Sequence, residues 1–176
     1  VVAHSLFRIT GEVDAAAVLR VAAALSSRFV PVHHRAPEAL RDFLAAGEPP
    51  IYVGFGSVVA EDPVALTRTI FTALERAGAR GIVAEGWAHL GGSALPPNVY
   101  LIGDCPLDWL FPRCRAVCHH GGAGTTAAGL RAGLPTVVVP FFGDQFFWGQ
   151  VVCDAGAGPA PIPIETCSTE RLAEAF

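Results

Sequence analysis

The residues best suited to chemistry lie in CHHGGAGTTAAGL, residues 118–130. Two histidines, His119 and His120, run into a glycine-rich turn, and the turn runs into Thr125 and Thr126. An imidazole can ligate a metal, carry a proton or donate to an anion. Gly121, Gly122 and Gly124 let the backbone turn tightly and let a ligand come close to it. A helix that starts there points free N–H groups and the positive end of its dipole at the turn. Thr125 and Thr126 add hydroxyl donors, and His120 adds an N–H. The group suits a pyrophosphate. The bland alternative is an ordinary helix start with capping threonines.

Two other chemistries compete for the same stretch. Gly122-x-Gly124-x-x-Ala127 fits the dinucleotide pattern, and Asp144 follows at about the spacing of a ribose-binding acid. Against it, three strand-like runs precede the loop, whereas that fingerprint usually opens its domain. Cys114, Cys118, His119 and His120 can be set out as zinc ligands. Cys118 and His119, however, are neighbours in an expected strand and point to opposite faces.

A second group is VPFFGDQ, residues 139–145. A carboxylate (Asp144) beside an amide (Gln145) accepts and donates as sugar hydroxyls require. Asp144 reads equally well as a helix cap. In the GFGS turn at 54–57, the glycines leave room and Ser57 offers a hydroxyl. Trp87 can stack on a base or pack in a core. Trp109 reads as packing for a short helix.

These residues need a frame that gathers them. Short apolar runs at 51–56, 81–85, 99–103, 115–119 and 136–140 read as strands. Helical patterns fall at 13–26, 37–46, 62–78, 123–132, 144–155 and 168–176, the last capped by Ser168. Extended pieces fall at 29–33 and 160–164. Strands alternating with helices predict an α/β fold, a parallel sheet with helices on both faces. Ligands in such sheets sit beyond the carboxyl ends of the strands, and each group above follows a strand. Residues 1–36 have no clear place in the sheet and read as an N-terminal segment or linker.

Composition fits a buried sheet: 52% of the 176 residues are hydrophobic and 16% charged. A net charge of −4 gives no sign of a nucleic-acid surface. No apolar run approaches the ~18 residues of a membrane span. Five cysteines without a CxxC pair favour a reducing, cytoplasmic setting over a disulfide framework. The start at Val1 and an end inside a helical pattern suggest a fragment of a longer protein.

PPIYVGFGS (49–57), the run from Gly103 to Val152 around HHGGAGTTAAGLRAG and VPFFGDQ, and GAGPAPIPI (156–164) together resemble the sterol 3-beta-glucosyltransferases. These are nucleotide-sugar-dependent enzymes of the two-domain GT-B architecture, built from facing Rossmann-like halves. The resemblance runs from about residue 37 to the end. It implies that residues 37–176 are the carboxy-terminal, donor-binding domain for UDP-glucose or a close relative. It implies a diphosphate contact at His120, a cradle at Gly122, Gly124 and Thr125, and Ser57 facing that cradle. It further implies sugar contacts at Asp144 and Gln145 and a uracil pocket near Trp87 and Val99. No metal and no cofactor are implied, since the UDP-sugar is a co-substrate. The catalytic base of the family is a histidine of the amino-terminal domain, a role not given to His33 or His34. The sterol or lipid acceptor would be met mainly by that other domain, with peripheral membrane association of the whole protein. Alternatives are a different lipid or natural-product acceptor, an oxidoreductase domain binding NAD or flavin, and a degenerate binding module. Three departures from the family pattern stand out. Leu107 replaces a histidine, Ala88 and His89 replace glycines, and Ala128 stands where related plant enzymes hold the ribose with glutamate.

Overall fold

The computed structural model describes residues 36–58, 60–85 and 94–176. The helix expected at 13–26, the extended piece at 29–33, His33, His34, Trp87, Ala88 and His89 lie outside the described residues. The chain runs α1 (Glu38–Ala45), β1 (Ile51–Gly54), α2 (Pro63–Arg76), β2 (Gly81–Ala84) and β3 (Val99–Ile102). It continues through α3 (Leu107–Leu110), a 3-10 turn (Phe111–Arg113), β4 (Ala116–His119), α4 (Ala123–Arg131) and β5 (Thr136–Val138). α5 (Gln145–Asp154), a 3-10 turn (Ile164–Thr166) and α6 (Thr169–Ala175) complete it.

Local chemistry sets these limits. Asp62 accepts the Ala65 N–H at 2.9 Å and Pro63 fills the first helical position, so α2 begins there. Ser168 accepts the Arg171 N–H at 3.3 Å and starts α6. The strands are one or two residues shorter than their apolar runs. At β5, Val139 still donates to the His119 carbonyl at 2.8 Å, but Pro140 has no N–H and pairing stops.

The five strands are parallel and lie in the order β3-β2-β1-β4-β5. Residues of one strand alternate between two faces. Ile51, Val53, Val83, Val99, Cys118 and Val137 pack with Leu66, Ile70 and Leu74 of α2 and Leu172 of α6. Ile82, Ile102 and Val117 pack on the other face, with Leu40 of α1, Leu110 of α3, Phe111 and Ala128 of α4. Leu40 is fully buried and fixes α1 to the sheet, so truncating it costs about 2–5 kcal/mol. Helices therefore cover both faces, which is why the strands are apolar on both sides. The extended piece at 160–164 runs beside β5: Ile162 donates to the Val138 carbonyl at 2.9 Å and Ile164 to that of Pro140 at 3.0 Å. Pro161 and Pro163 alternate with these donors and carry no N–H. The segment thus covers the sheet edge and leaves little to extend it.

From β1 the chain fills one side of the sheet through β2 and β3, then returns to fill the other side through β4 and β5. The seam between β1 and β4 is the topological switch point, and its carboxyl end is where such sheets bind ligands. No helix among the described residues is long and apolar enough to cross a membrane.

Candidate functional site

At the switch point, β4 ends on His119 and the chain turns through His120, Gly121 and Gly122 into α4. Gly121 has φ +93°, and a Cβ there would fall 2.8 Å from the Gln145 carbonyl oxygen and 2.9 Å from Val138 Cγ1. Conformation and space both demand glycine. Gly122 is the N-cap residue of α4, with no side chain capping the helix. The N–H groups of the first turn are left facing the turn.

His120 is held between two glycines from opposite sides of the seam. A Cβ on Gly122 would lie 2.6 Å from its Nε2, and one on Gly56 would lie 3.2 Å from its Cε1. Gly56 itself has φ +62°, as the turn after β1 requires. Burial lowers the His120 pKa, opposed by the Gly54 backbone and the Asp144 carboxylate. A neutral imidazole has one N–H to give and a charged one has two. Ser57, exposed, follows Gly56 in the same turn.

Gly124 is exposed in the first turn of α4, and a Cβ there would meet nothing within 4 Å. Thr125 is half-buried beside it. Thr126 departs from the sequence-based expectation that it offers a donor: it is buried, and its hydroxyl donates to the Gly122 carbonyl at 2.9 Å.

The loop after β5 brings in Asp144 and Gln145. Gln145 is only 5% exposed, and its Oε1 accepts the N–H groups of Phe141 at 2.8 Å and Phe142 at 3.2 Å. Its acceptor is therefore spent on the loop, leaving the amide NH₂ as what it can offer a ligand. Asp144 stands at the N-cap position of α5 but has φ −72° and ψ −9°, and its side chain makes no capping bond. The capping alternative is not realised, and the carboxylate is exposed.

Ser57, His120, Gly122, Gly124, Thr125, Asp144 and Gln145 thus meet at one end of the sheet. Val99 does not join them. It is the first residue of β3, at the amino end, and is 4% exposed within the core. The family resemblance drew it into a uracil-pocket assignment, but strand direction places it at the far end. The residues beyond the carboxyl end of β3 are instead Gly103 and Asp104, both exposed. Ala128 is buried on the sheet-facing side of α4, so the position where the resemblance looked for a ribose contact here fills core space. His119 figured in the sequence only in the disfavoured zinc set; it is fully buried, and its Nδ1 accepts the Gly121 N–H at 2.9 Å. Strand alternation could have signalled it, because a histidine one residue before the turn faces the core. Among the described residues no group of three or more histidines, cysteines or acids is placed to hold a metal ion. All five cysteines are free thiols.

A parallel sheet covered by helices on both faces, with a glycine turn and a helix start at its switch point, defines a Rossmann-like α/β domain. Solved glycosyltransferase structures share this fold. That of SnogD from Streptomyces nogalater is 28% identical with a TM-score of 0.58, over 84% of this chain and 44% of that one. That of UGT89C1 from Arabidopsis thaliana, complexed with UDP-L-rhamnose, is 21% identical with a TM-score of 0.58, over 71% of this chain and 32% of that one. The fold is that of one half of a GT-B glycosyltransferase. The chain belongs to the family described as erythromycin biosynthesis protein CIII-like, C-terminal domain, whose model matches residues 75–176. Among curated proteins, it is similar to two sterol 3-beta-glucosyltransferases of Arabidopsis thaliana. UGT80B1 is 53% identical over 141 residues, 79% of this chain, and UGT80A2 is 51% identical over 153 residues, 86% of this chain. The chain spans 23% of the length of each.

Proposed function

We propose that the chain is the donor-binding domain of an inverting, UDP-sugar-dependent glycosyltransferase, and that the whole protein glucosylates a sterol 3-hydroxyl. The observation that carries this reading is the placement of His120. It is clamped between Gly56 and Gly122 at the start of α4, with the Asp144 carboxylate close enough to influence its charge. Support for the donor comes from the solved structure named with UDP-L-rhamnose, and for the acceptor from relatives named for sterol glucosylation.

In this reading the diphosphate lies against the first turn of α4. The free N–H groups there, the Thr125 hydroxyl, the Ser57 hydroxyl and His120 donate to it. Asp144 accepts from sugar hydroxyls while Gln145 donates from its amide. A base on another domain removes the acceptor proton, and the acceptor oxygen attacks the anomeric carbon from the face opposite the leaving group. The bond to the diphosphate breaks, and negative charge grows on UDP. The helix start and His120 stabilise that charge without needing to reorganise. A cytoplasmic setting and peripheral association of the whole protein with a membrane belong to the same proposal.

Calorimetric titration with UDP, UDP-glucose and NAD tests it. Binding of the first two and not the third is expected, and binding of NAD alone overturns it. His120→Ala must weaken UDP binding; unchanged affinity would make this a degenerate module. A natural-product acceptor is the second reading, favoured by the family's description. Glucosyl transfer by the full-length protein to a sterol, against a polyketide aglycone, separates the two.

A further inference from the structure

His119 and His120 are adjacent and chemically alike, yet the fold treats them oppositely. The His120 ring lies half-buried at the seam. The His119 ring is fully buried, 6.3 Å from that of His120 between centroids and nearly perpendicular to it. Its Nδ1 accepts the N–H of Gly121 at 2.9 Å, two residues on. An accepting Nδ1 carries no proton, so the proton of the neutral ring is on Nε2, which finds no partner among the described residues. A buried donor left unpartnered is unfavourable, so this ring is held for what its other nitrogen does.

That nitrogen satisfies the one N–H at the tightest point of the turn. Gly121 is buried with φ +93°, wedged between the Gln145 carbonyl and Val138. Its peptide plane sets the direction in which Gly122 leaves, and Gly122 sits against the Nε2 side of His120. We infer that His119 is a positioning residue: through its Nδ1 it fixes the Gly121 peptide, and so aims His120 and the start of α4 at the diphosphate. The role rests on the reading of this site as a UDP-sugar cradle. It also requires an uncharged ring, since a proton on Nδ1 would replace the acceptor with a donor facing a donor. Burial beside His120 disfavours that charged form.

The test compares His119→Leu, which keeps bulk and loses the acceptor, with His119→Asn, whose Oδ1 can stand where Nδ1 does. UDP is the probe, titrated calorimetrically into the full chain and its variants, with thermal unfolding measured in parallel. His119→Leu is expected to raise the UDP Kd about tenfold or more, the factor one lost buried hydrogen bond can cost. His119→Asn is expected to recover most of that affinity. A folded His119→Leu that binds as tightly as the parent overturns the inference, as does an Asn variant no better than Leu. Where His119→Leu does not fold, nitrogen-15 spectra of the unaltered protein decide. A single tautomer protonated on Nε2, unchanged through the pH range where free histidine titrates, supports the role; a ring that titrates there overturns it. If the parent does not bind UDP at all, the cradle reading fails, and the spectra still judge the turn.

Discussion

Gly124→Ala separates folding from ligand binding with opposite signs. The added Cβ has no protein atom within 4 Å, and Gly124 lacks the left-handed backbone of Gly121 and Gly56. Nothing in the fold resists the substitution. Alanine in the first turn of α4 instead restricts the unfolded chain and favours the helix, worth about 0.4–1 kcal/mol. For a chain of this size that raises Tm by roughly 1–4 °C. The same open space is where an anion must come to reach the N–H groups of the first turn. A methyl group there displaces the diphosphate from at least one of them. One hydrogen bond to a charged group is worth about 1.5–3 kcal/mol, so the UDP Kd should rise roughly 10- to 150-fold. Thermal unfolding and calorimetric UDP titration on the same preparations provide both numbers. A variant with raised Tm and unchanged UDP affinity refutes the placement of the anion at this helix end. A variant that loses both stability and affinity refutes the claim that the space is open to the side chain.

Asp144→Ala should leave stability within about 0.5 kcal/mol, because the carboxylate caps nothing. It should weaken UDP-glucose binding while sparing UDP, and equal losses for the two ligands would remove Asp144 from the sugar. Gln145→Ala removes the acceptor for two loop N–H groups and should cost about 1–3 kcal/mol in urea unfolding, a cost that a mere ligand contact would not show. Burial pushes the His119 pKa down to about 3 and lowers that of His120 as well. The native rings then bind fewer protons than those of the unfolded chain, so stability is full above the ordinary histidine value near 6.5 and falls as pH drops towards 3. Urea unfolding of His119→Asn across that window should show a shallower decline than the parent.

The parallel sheet was legible because every strand is a short apolar run bounded by glycine or proline, and because helical patterns separate most of them. The gathering of Ser57, His120 and Asp144 at one end followed from strand direction alone. What local pattern could not supply was orientation. Resemblance alone put Val99 beside the uracil, and its place at the start of β3 puts it at the other end of the sheet. Gln145 carries the same amide whether it serves a ligand or its own loop, and only the fold reveals that Oε1 is taken by Phe141 and Phe142. Asp144 has the residue type of a cap and the backbone of a helical residue, so type suggested a bond that the dihedrals do not allow. Thr126 differs from Thr125 by one step of helical rotation, which turns it from the turn towards the core.

The packing of His120 against Gly56 joins two stretches of sequence 64 positions apart, one on each side of the seam. That pairing constrains recombination. A chimaera of two related donor domains can cross over anywhere between residues 57 and 115 without touching either Gly56 or His120. It would nevertheless let one parent choose the residue at 56 and the other choose the ring that must rest on it. A parent with any side chain at 56 would press on the imidazole from a backbone already committed to φ +62°. Libraries that inherit Gly56 and His120 from the same parent should keep donor use far more often than those that split them.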